Sequence, residues 1–441
     1  MHRFPESQWT MHYFTVSMIS LLLAEIGWFM GWGNPLKNLG TPSVLVLVHL
    51  TTIGFLSLAM LGALHQFLPI ITQTELSSQR GSAFTLGSII LGLAVMIVGF
   101  LASPGGTLPQ VPWILPLGGT IVIIGVLVAL KTLGTILQRS WPWTLPTWFV
   151  ATGLGFLILT IFAGVFLSFS LVVPSWFSSS ALYVIGGRGL AAHVIGGMGG
   201  WLTLTAMGVS YRLLGMFTLS NDPRGWWGWT AYVFTAVGIL AVWISRWVGA
   251  NIVAEVAWLV VLVGLATYLV DIGRLYHRRK RRKLELNARY AVGPFIFLSI
   301  LLISAIFIPI SGQFTAFDLG VVFLGLYGWL GGLVLTQLYK IVPFLTWIHV
   351  FGNQIGQGKM PRVQDLVDEK RDHYAFFLYF IATFVAAVAL ALGWFALFRI
   401  FMFGMWIATL DITRALYHAS LPYRNAKRKN DSTNSLSRSF F

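Results

Sequence analysis

The side chains able to do chemistry are few and unevenly placed. The chain carries nine histidines, 14 Asp and Glu together, and no cysteine. Without thiols there are no disulfides, no thiolate metal sites and no thiol nucleophiles. Metal ligation then falls to neutral imidazoles, and acid–base work to the carboxylates. Glu25, His49, His193 and Glu255 stand within long apolar stretches. No spacing of residues marks a nucleophile with its base, so no catalytic residue is assigned.

Composition says what must position these groups. A chain of 441 residues that is 56 % apolar and 10 % charged, with mean hydropathy +0.78, has too little charge to cover a soluble surface. Apolar runs of about 20 residues, enough to cross a bilayer, fall at 11–33, 43–70, 83–103, 111–131, 144–170, 189–217, 226–246, 249–271, 290–311, 319–347, 374–396 and 397–420. These predict an all-α membrane protein of twelve transmembrane helices, helix 1 to helix 12, because lipid demands that backbone polar groups be satisfied internally. The connection of helices 11 and 12, around Phe398–Arg399, is predicted to be very tight. Met1–Trp9 holds Arg3 and Glu6 and lacks a short apolar core followed by a cleavage site. The first run therefore reads as a retained helix.

Net charge is +15, and its placement predicts orientation. With the N-terminus inside, all 29 Lys and Arg fall on the inner side except Lys37, Arg188, Arg246 and Arg399. That asymmetry predicts a plasma-membrane protein with both termini in the cytoplasm. The basic run Arg278–Lys283 then faces the anionic inner leaflet of the bilayer rather than nucleic acid. A polar, basic segment over 424–441 reads as a disordered cytoplasmic tail.

One pattern occurs three times. Helix 2 has Gly54-Phe55-Leu56, Gly62 and His65-Gln66-Phe67-Leu68-Pro69. Helix 6 has Gly200-Trp201-Leu202, Gly208 and Tyr211-Arg212-Leu213-Leu214-Gly215. Helix 10 has Gly328-Trp329-Leu330, Thr336 and Tyr339-Lys340-Ile341-Val342-Pro343, and no copy needs a gap. Helices 8 and 12 share Asp271-Ile272-Gly273-Arg274 and Asp411-Ile412-Thr413-Arg414. These predict one transmembrane domain over 1–423, built of three four-helix units at about 1–140, 141–285 and 286–423 around a pseudo-threefold axis. Small residues in the repeated helices allow close packing at the centre.

Twelve helices with internal termini and threefold repetition resemble subunit I of the haem–copper oxidase superfamily. Helix 6, with Ala192-His193-Val194, Gly200-Trp201 and Gly208-Val209-Ser210-Tyr211-Arg212, is most similar to the wider twelve-helix group that includes a protein linked to nitric-oxide response. In the oxidases, helices 2, 6 and 10 are central, helices 2 and 10 hold the haems by histidine, and helices 6 and 7 hold copper. This sequence has Val321 and Phe323 where the helix 10 histidine pair would fall, and helix 7, Trp226–Arg246, has no histidine. The resemblance thus implies the scaffold without the oxygen-reducing centre, and copper is not expected.

Depth sorts the histidines. His2, His12, His65, His277, His349, His373 and His418 fall at inner helix ends or in inner loops, whereas His49 and His193 fall in the outer half, one to two turns from the outer helix ends. His49 precedes the repeat glycine by five residues and His193 by seven, registers about 200° apart on a helix. By the threefold rotation, one points to helix 6 and the other to helix 2. Two converging imidazoles in an apolar interior suit a six-coordinate haem b. Gly54, Gly196, Gly197 and Gly200 would leave room for the macrocycle. Arg188 is the first propionate partner, with Arg246 and Arg399 as further candidates. The plainer reading is that each histidine bonds a neighbouring helix. A third is another metal role, with Met60 and Met198 as soft ligands.

Glu25 and Glu255 are candidates for proton transfer, with simple water contact near the outer surface as the alternative. Asp271–Arg274 and Asp411–Arg414 are expected as structural pairs, Arg212 and Lys340 as snorkelling cations, and Tyr211 and Tyr339 as interfacial belt residues. Together these predict a haem b-binding membrane protein for electron transfer or redox or gas response, served by a redox partner or partner subunits and not a terminal oxidase. The alternatives are a cofactor-free transporter or assembly factor on the same scaffold, and a divergent cytochrome or nitric-oxide oxidoreductase.

Overall fold

A computed structural model of the chain describes residues 9–74, 78–220, 225–307, 315–352 and 360–438. His2, Arg3, Arg224 and Lys359 lie outside them. Among the described residues the structure is helical without strands, and twelve helices are long and apolar enough to cross a membrane. They are α1 Thr10–Met30, α2 Pro42–Thr72, α3 Gln79–Leu101, α4 Ile114–Arg139, α5 Leu145–Val172, α6 Ser179–Thr218, α7 Trp226–Val248, α8 Asn251–His277, α9 Leu286–Ala305, α10 Ala316–Phe351, α11 Glu369–Ala391 and α12 Phe395–Arg438.

Local chemistry sets the ends. Gly31 closes α1 at φ +71°, a left-handed conformation that glycine adopts without strain. Pro42 opens α2, where its missing N–H costs nothing. Thr315 and Asp318 cap α10 reciprocally, each side chain accepting from the other's backbone N–H. The turn joining α11 to α12 lies at Leu392–Trp394, slightly before the predicted Phe398–Arg399, because Gly393 supplies the positive φ there. The largest difference is α6, which starts at Ser179 rather than 189. Its first turn is capped by Ser178, and the run Ile185-Gly186-Gly187-Arg188-Gly189, which resembles a breaker, is carried as a π-helical stretch, Val184–Gly189. His193 therefore lies about 21 Å from the helix start, not one to two turns. The last helix continues to Arg438, into the segment 424–441.

Burial identifies the centre. The apolar windows of α10 and α2 are 72 % and 67 % buried, α1 and α6 follow at 56 %, and the others fall between 22 % and 50 %. The hairpins α3/α4, α7/α8 and α11/α12 each pack closely, a pairing that recurs every four helices. Each of α2, α6 and α10 also carries a π-helical stretch: Leu50–Ser57, Ile195–Thr203 and Leu324–Gly331. Each stretch begins four or five residues before the repeat glycine and ends three after it. Below these stretches, a cavity of about 50 Å³ lies among the three helices. On every helix it is lined by the residues five, six and nine after the repeat glycine: Ala59, Met60 and Ala63; Thr205, Ala206 and Val209; Leu333, Val334 and Gln337.

Several polar residues expected at the basic interface are drawn inward. Lys340 is mostly buried and ion-paired with Glu285 rather than snorkelling to water. Tyr211 and Tyr339 are 0 % and 2 % exposed. The Tyr339 hydroxyl donates to Asp372 Oδ2 at 2.6 Å. Asp411 pairs with Arg414 at 3.3 Å as expected, but Arg274 lies over the Trp227 ring, 5.2 Å from its centroid, instead of pairing with Asp271. A cation above an indole keeps its aqueous face and gains the ring quadrupole.

Candidate functional site

The structure brings His49 and His193 together. Their ring centroids are 6.5 Å apart and the ring planes lie 27° from parallel. Two imidazoles sharing one metal, with about 2 Å from metal to nitrogen and about 1.1 Å from nitrogen to ring centre, require roughly 6.3 Å. The observed spacing matches that requirement.

Both rings are held by backbone carbonyls through Nδ1. His49 Nδ1 lies 2.7 Å from the carbonyl of Leu45, one turn away on α2. His193 Nδ1 lies 2.9 Å from the carbonyl of Thr160 on α5. A backbone carbonyl accepts only from a protonated nitrogen, so each ring carries its hydrogen on Nδ1 and leaves the Nε2 lone pair free. Metal-binding histidines are commonly fixed in this way by their second nitrogen. Phe100 of α3 packs against His49 with centroids 5.0 Å apart. On the other side, a Cβ built on Gly164 of α5 would come within 2.9 Å of His193 Cε1. Gly164 is therefore the glycine that makes room for this ring.

The glycines expected to leave space for a macrocycle do something else. A Cβ at Gly54 would meet Ser20 at 2.7 Å, one at Gly196 would meet Thr160 at 2.8 Å, one at Gly197 would meet Thr160 at 3.2 Å, and one at Gly200 would meet Phe156 at 2.2 Å. All four seat neighbouring helices closely, as small residues in membrane helices do. Met60 lines the central cavity, and the Met198 methyl points at Gly325 of α10, so neither thioether is spent on the histidine pair. The Arg188 guanidinium lies over Gly249 at the α7–α8 turn. Arg246 bonds Asn251 at 3.3 Å, and Arg399 donates from Nε to the Phe29 carbonyl at 2.8 Å, capping α1.

The space between α2 and α10 differs. Phe323 stacks on Tyr327, centroids 4.6 Å apart, and packs edge-on against Phe398. The Tyr327 hydroxyl accepts from Trp28 Nε1 at 3.0 Å and lies 2.7 Å from Thr51 Oγ1. Aromatic rings occupy this region. Sequence reasoning missed Tyr327, Thr51, Thr160, Phe100 and Gly164. The Leu45 carbonyl alone was legible, four residues before His49; the rest depend on tertiary packing. His65, expected at a helix end, is 0 % exposed, with its Nε2 lacking a partner. Of the intramembrane carboxylates, Glu25 is 0 % exposed, whereas Glu255 lies on the outside of the bundle.

The chain matches no protein-family model and no curated protein.

Two imidazoles are the axial donor set that a six-coordinate haem b asks of a protein. Among the described residues no group of three His, Asp or Glu gathers to hold an ion. A haem brings four equatorial nitrogens of its own and asks the protein for two axial ligands only.

Proposed function

We propose that this chain is a membrane haem b-binding protein on a haem–copper oxidase-like scaffold, acting in electron transfer or in redox or gas response. The observation that carries the reading is the His49–His193 pair: 6.5 Å between ring centres, with both Nδ1 atoms committed to carbonyls. His49 and His193 would be the axial ligands. A bound haem would supply one-electron chemistry. The protein's part is to hold both Nε2 atoms in one space, to fix their tautomers through Leu45 and Thr160, and to exclude water. Arg188, near the same end of α6, is the cation for a propionate.

Three observations support the scaffold. The π-helical stretches share one register about the repeat glycines, equivalent positions on α2, α6 and α10 line one cavity, and helix pairing recurs every four helices. They favour three units about a central axis. The charge asymmetry supports a topology with both termini in the cytoplasm and the basic cluster against anionic lipid. Oxygen reduction is not part of the reading, since α7 has no histidine and Phe323 sits in an aromatic stack.

The deciding experiment is the absorption spectrum of protein purified in detergent after haem-replete expression. A Soret band with the sharp visible bands of low-spin haem b supports the proposal, and a spectrum without a Soret band ends it in favour of packing histidines. An oxygen electrode with quinol or reduced cytochrome as donor is expected to record no cyanide-sensitive turnover.

A further inference from the structure

Glu25 stands on α1 five residues from its end, about 7.5 Å below the charge-poor face. It is 0 % exposed. Oε1 accepts from Thr409 Oγ1 of α12 at 3.0 Å, and Oε2 has no partner. The groups that face it are hydroxyls. Tyr327 of α10 and Tyr379 of α11 lie within range of its charge, and the Tyr379 hydroxyl is given to the Tyr327 carbonyl at 2.9 Å. On α2 the nearest member of the cluster is Thr51, bonded to Tyr327. The cation at this end, Arg399, is turned to the carbonyls of Phe29 and Met30.

An ionised carboxylate here would face apolar surroundings with one hydrogen bond and no cation, at a cost far above what one hydroxyl returns. The acid must be neutral when the surroundings are as seen. A glutamine would accept from Thr409 equally well, so the hydrogen bond alone does not call for an acid. What a carboxyl adds is a removable proton. We propose that Glu25 is a proton-binding site, carrying a proton within the span and exchanging it with water at the charge-poor end of the bundle. In the exchange the carboxyl O–H bond breaks, its electron pair stays on Glu25, and the proton passes to a water; uptake is the reverse. This site stands whether or not a haem is bound.

The test uses the full chain in lipid vesicles. Infrared spectra are expected to contain the C=O stretch of a protonated carboxylic acid that shifts to lower frequency in D₂O. The band should be lost in Glu25→Gln and displaced in Glu25→Asp. Dicyclohexylcarbodiimide, which attacks protonated carboxyls in membranes, is expected to label Glu25 in the wild type by peptide mass, less as pH rises. The wild-type measurements need no variant, so a poorly folding mutant leaves the test intact. A band that survives Glu25→Gln, or one unmoved by D₂O, overturns the proposal. Protection from the carbodiimide by sodium would overturn it in favour of a cation site.

Discussion

The two spaces that flank α2 toward the charge-poor end are built from the same repeated helices and hold opposite chemistry. Toward α6, two imidazoles lie 6.5 Å apart between ring centres, each with Nδ1 given to a backbone carbonyl. Toward α10, the equivalent position is Phe323, and Trp28, Tyr327 and Thr51 form a directed chain of hydrogen bonds beside a buried acid. Thr51 gives its own hydrogen to the Leu47 carbonyl at 2.9 Å, so Tyr327 donates to Thr51 and accepts from Trp28. The first space pairs two nitrogen donors, and the second closes its hydrogen bonds within itself. Equivalent positions counted from the repeat glycine thus carry an imidazole in one interface and an aromatic ring in the other.

The sharpest way to break this contrast is to remove either ligand. His49→Ala or His193→Ala is expected to abolish the low-spin haem b spectrum entirely, since one axial ligand cannot hold six-coordination, whereas His65→Ala and Glu25→Gln leave it unchanged. A spectrum that survives both ligand mutations, or that is lost with Glu25→Gln in a folded protein, erases the difference between the two spaces. A smaller effect comes from Gly164→Val. Its Cβ would fall 2.9 Å from His193 Cε1, so the ring must turn, and haem content per protein should drop several-fold while the helices stay folded by circular dichroism.

The sealed space should respond in stability rather than in colour. Tyr327→Phe leaves the Trp28 N–H without its acceptor, a loss of about 1–3 kcal/mol for a buried donor. Thermal melting in detergent should show a lowered midpoint with the haem bands in place. The smallest effect is expected at the surface. Asp411→Asn removes two partly exposed pairs, to Arg371 and Arg414 at 3.3 Å each, each worth about 0–1 kcal/mol, and should move melting only slightly and leave the spectrum unchanged.

The twelve spans could be read from the sequence because bilayer thickness imposes one long apolar run per crossing. The exception is instructive: α6 begins ten residues before the apolar run at 189, and the glycines around Arg188 stay helical as a π-helical stretch. The meeting of His49 and His193 was legible too, since both positions are counted from a repeated glycine on helices of like sequence. Glu25 stood out as a carboxylate within an apolar run, but its partner did not: Thr409 lies far along the chain on α12, and no local pattern carries that. The glycines near the histidines were misread for the same reason, because a missing side chain signals close approach without naming what approaches. Lys340 and the repeat tyrosines lie at interfacial depth, but Glu285 and Asp372, brought by α9 and α11, hold Lys340 and Tyr339 inside.

The π-helical stretch of α2 begins one residue after His49 and ends one before Leu58. Such a stretch carries an additional residue within the turn, so it acts as a phase setting between the two halves of its helix. The wider turn takes up the additional residue locally, so the two halves of α2 keep the phase in which His49 meets His193 while Ala59, Met60 and Ala63 border the central cavity. Without the wider turn, the same additional residue would rotate everything before it by about 100°. The pairing of the two imidazoles is therefore held by the winding of the backbone beneath it as much as by the residues themselves.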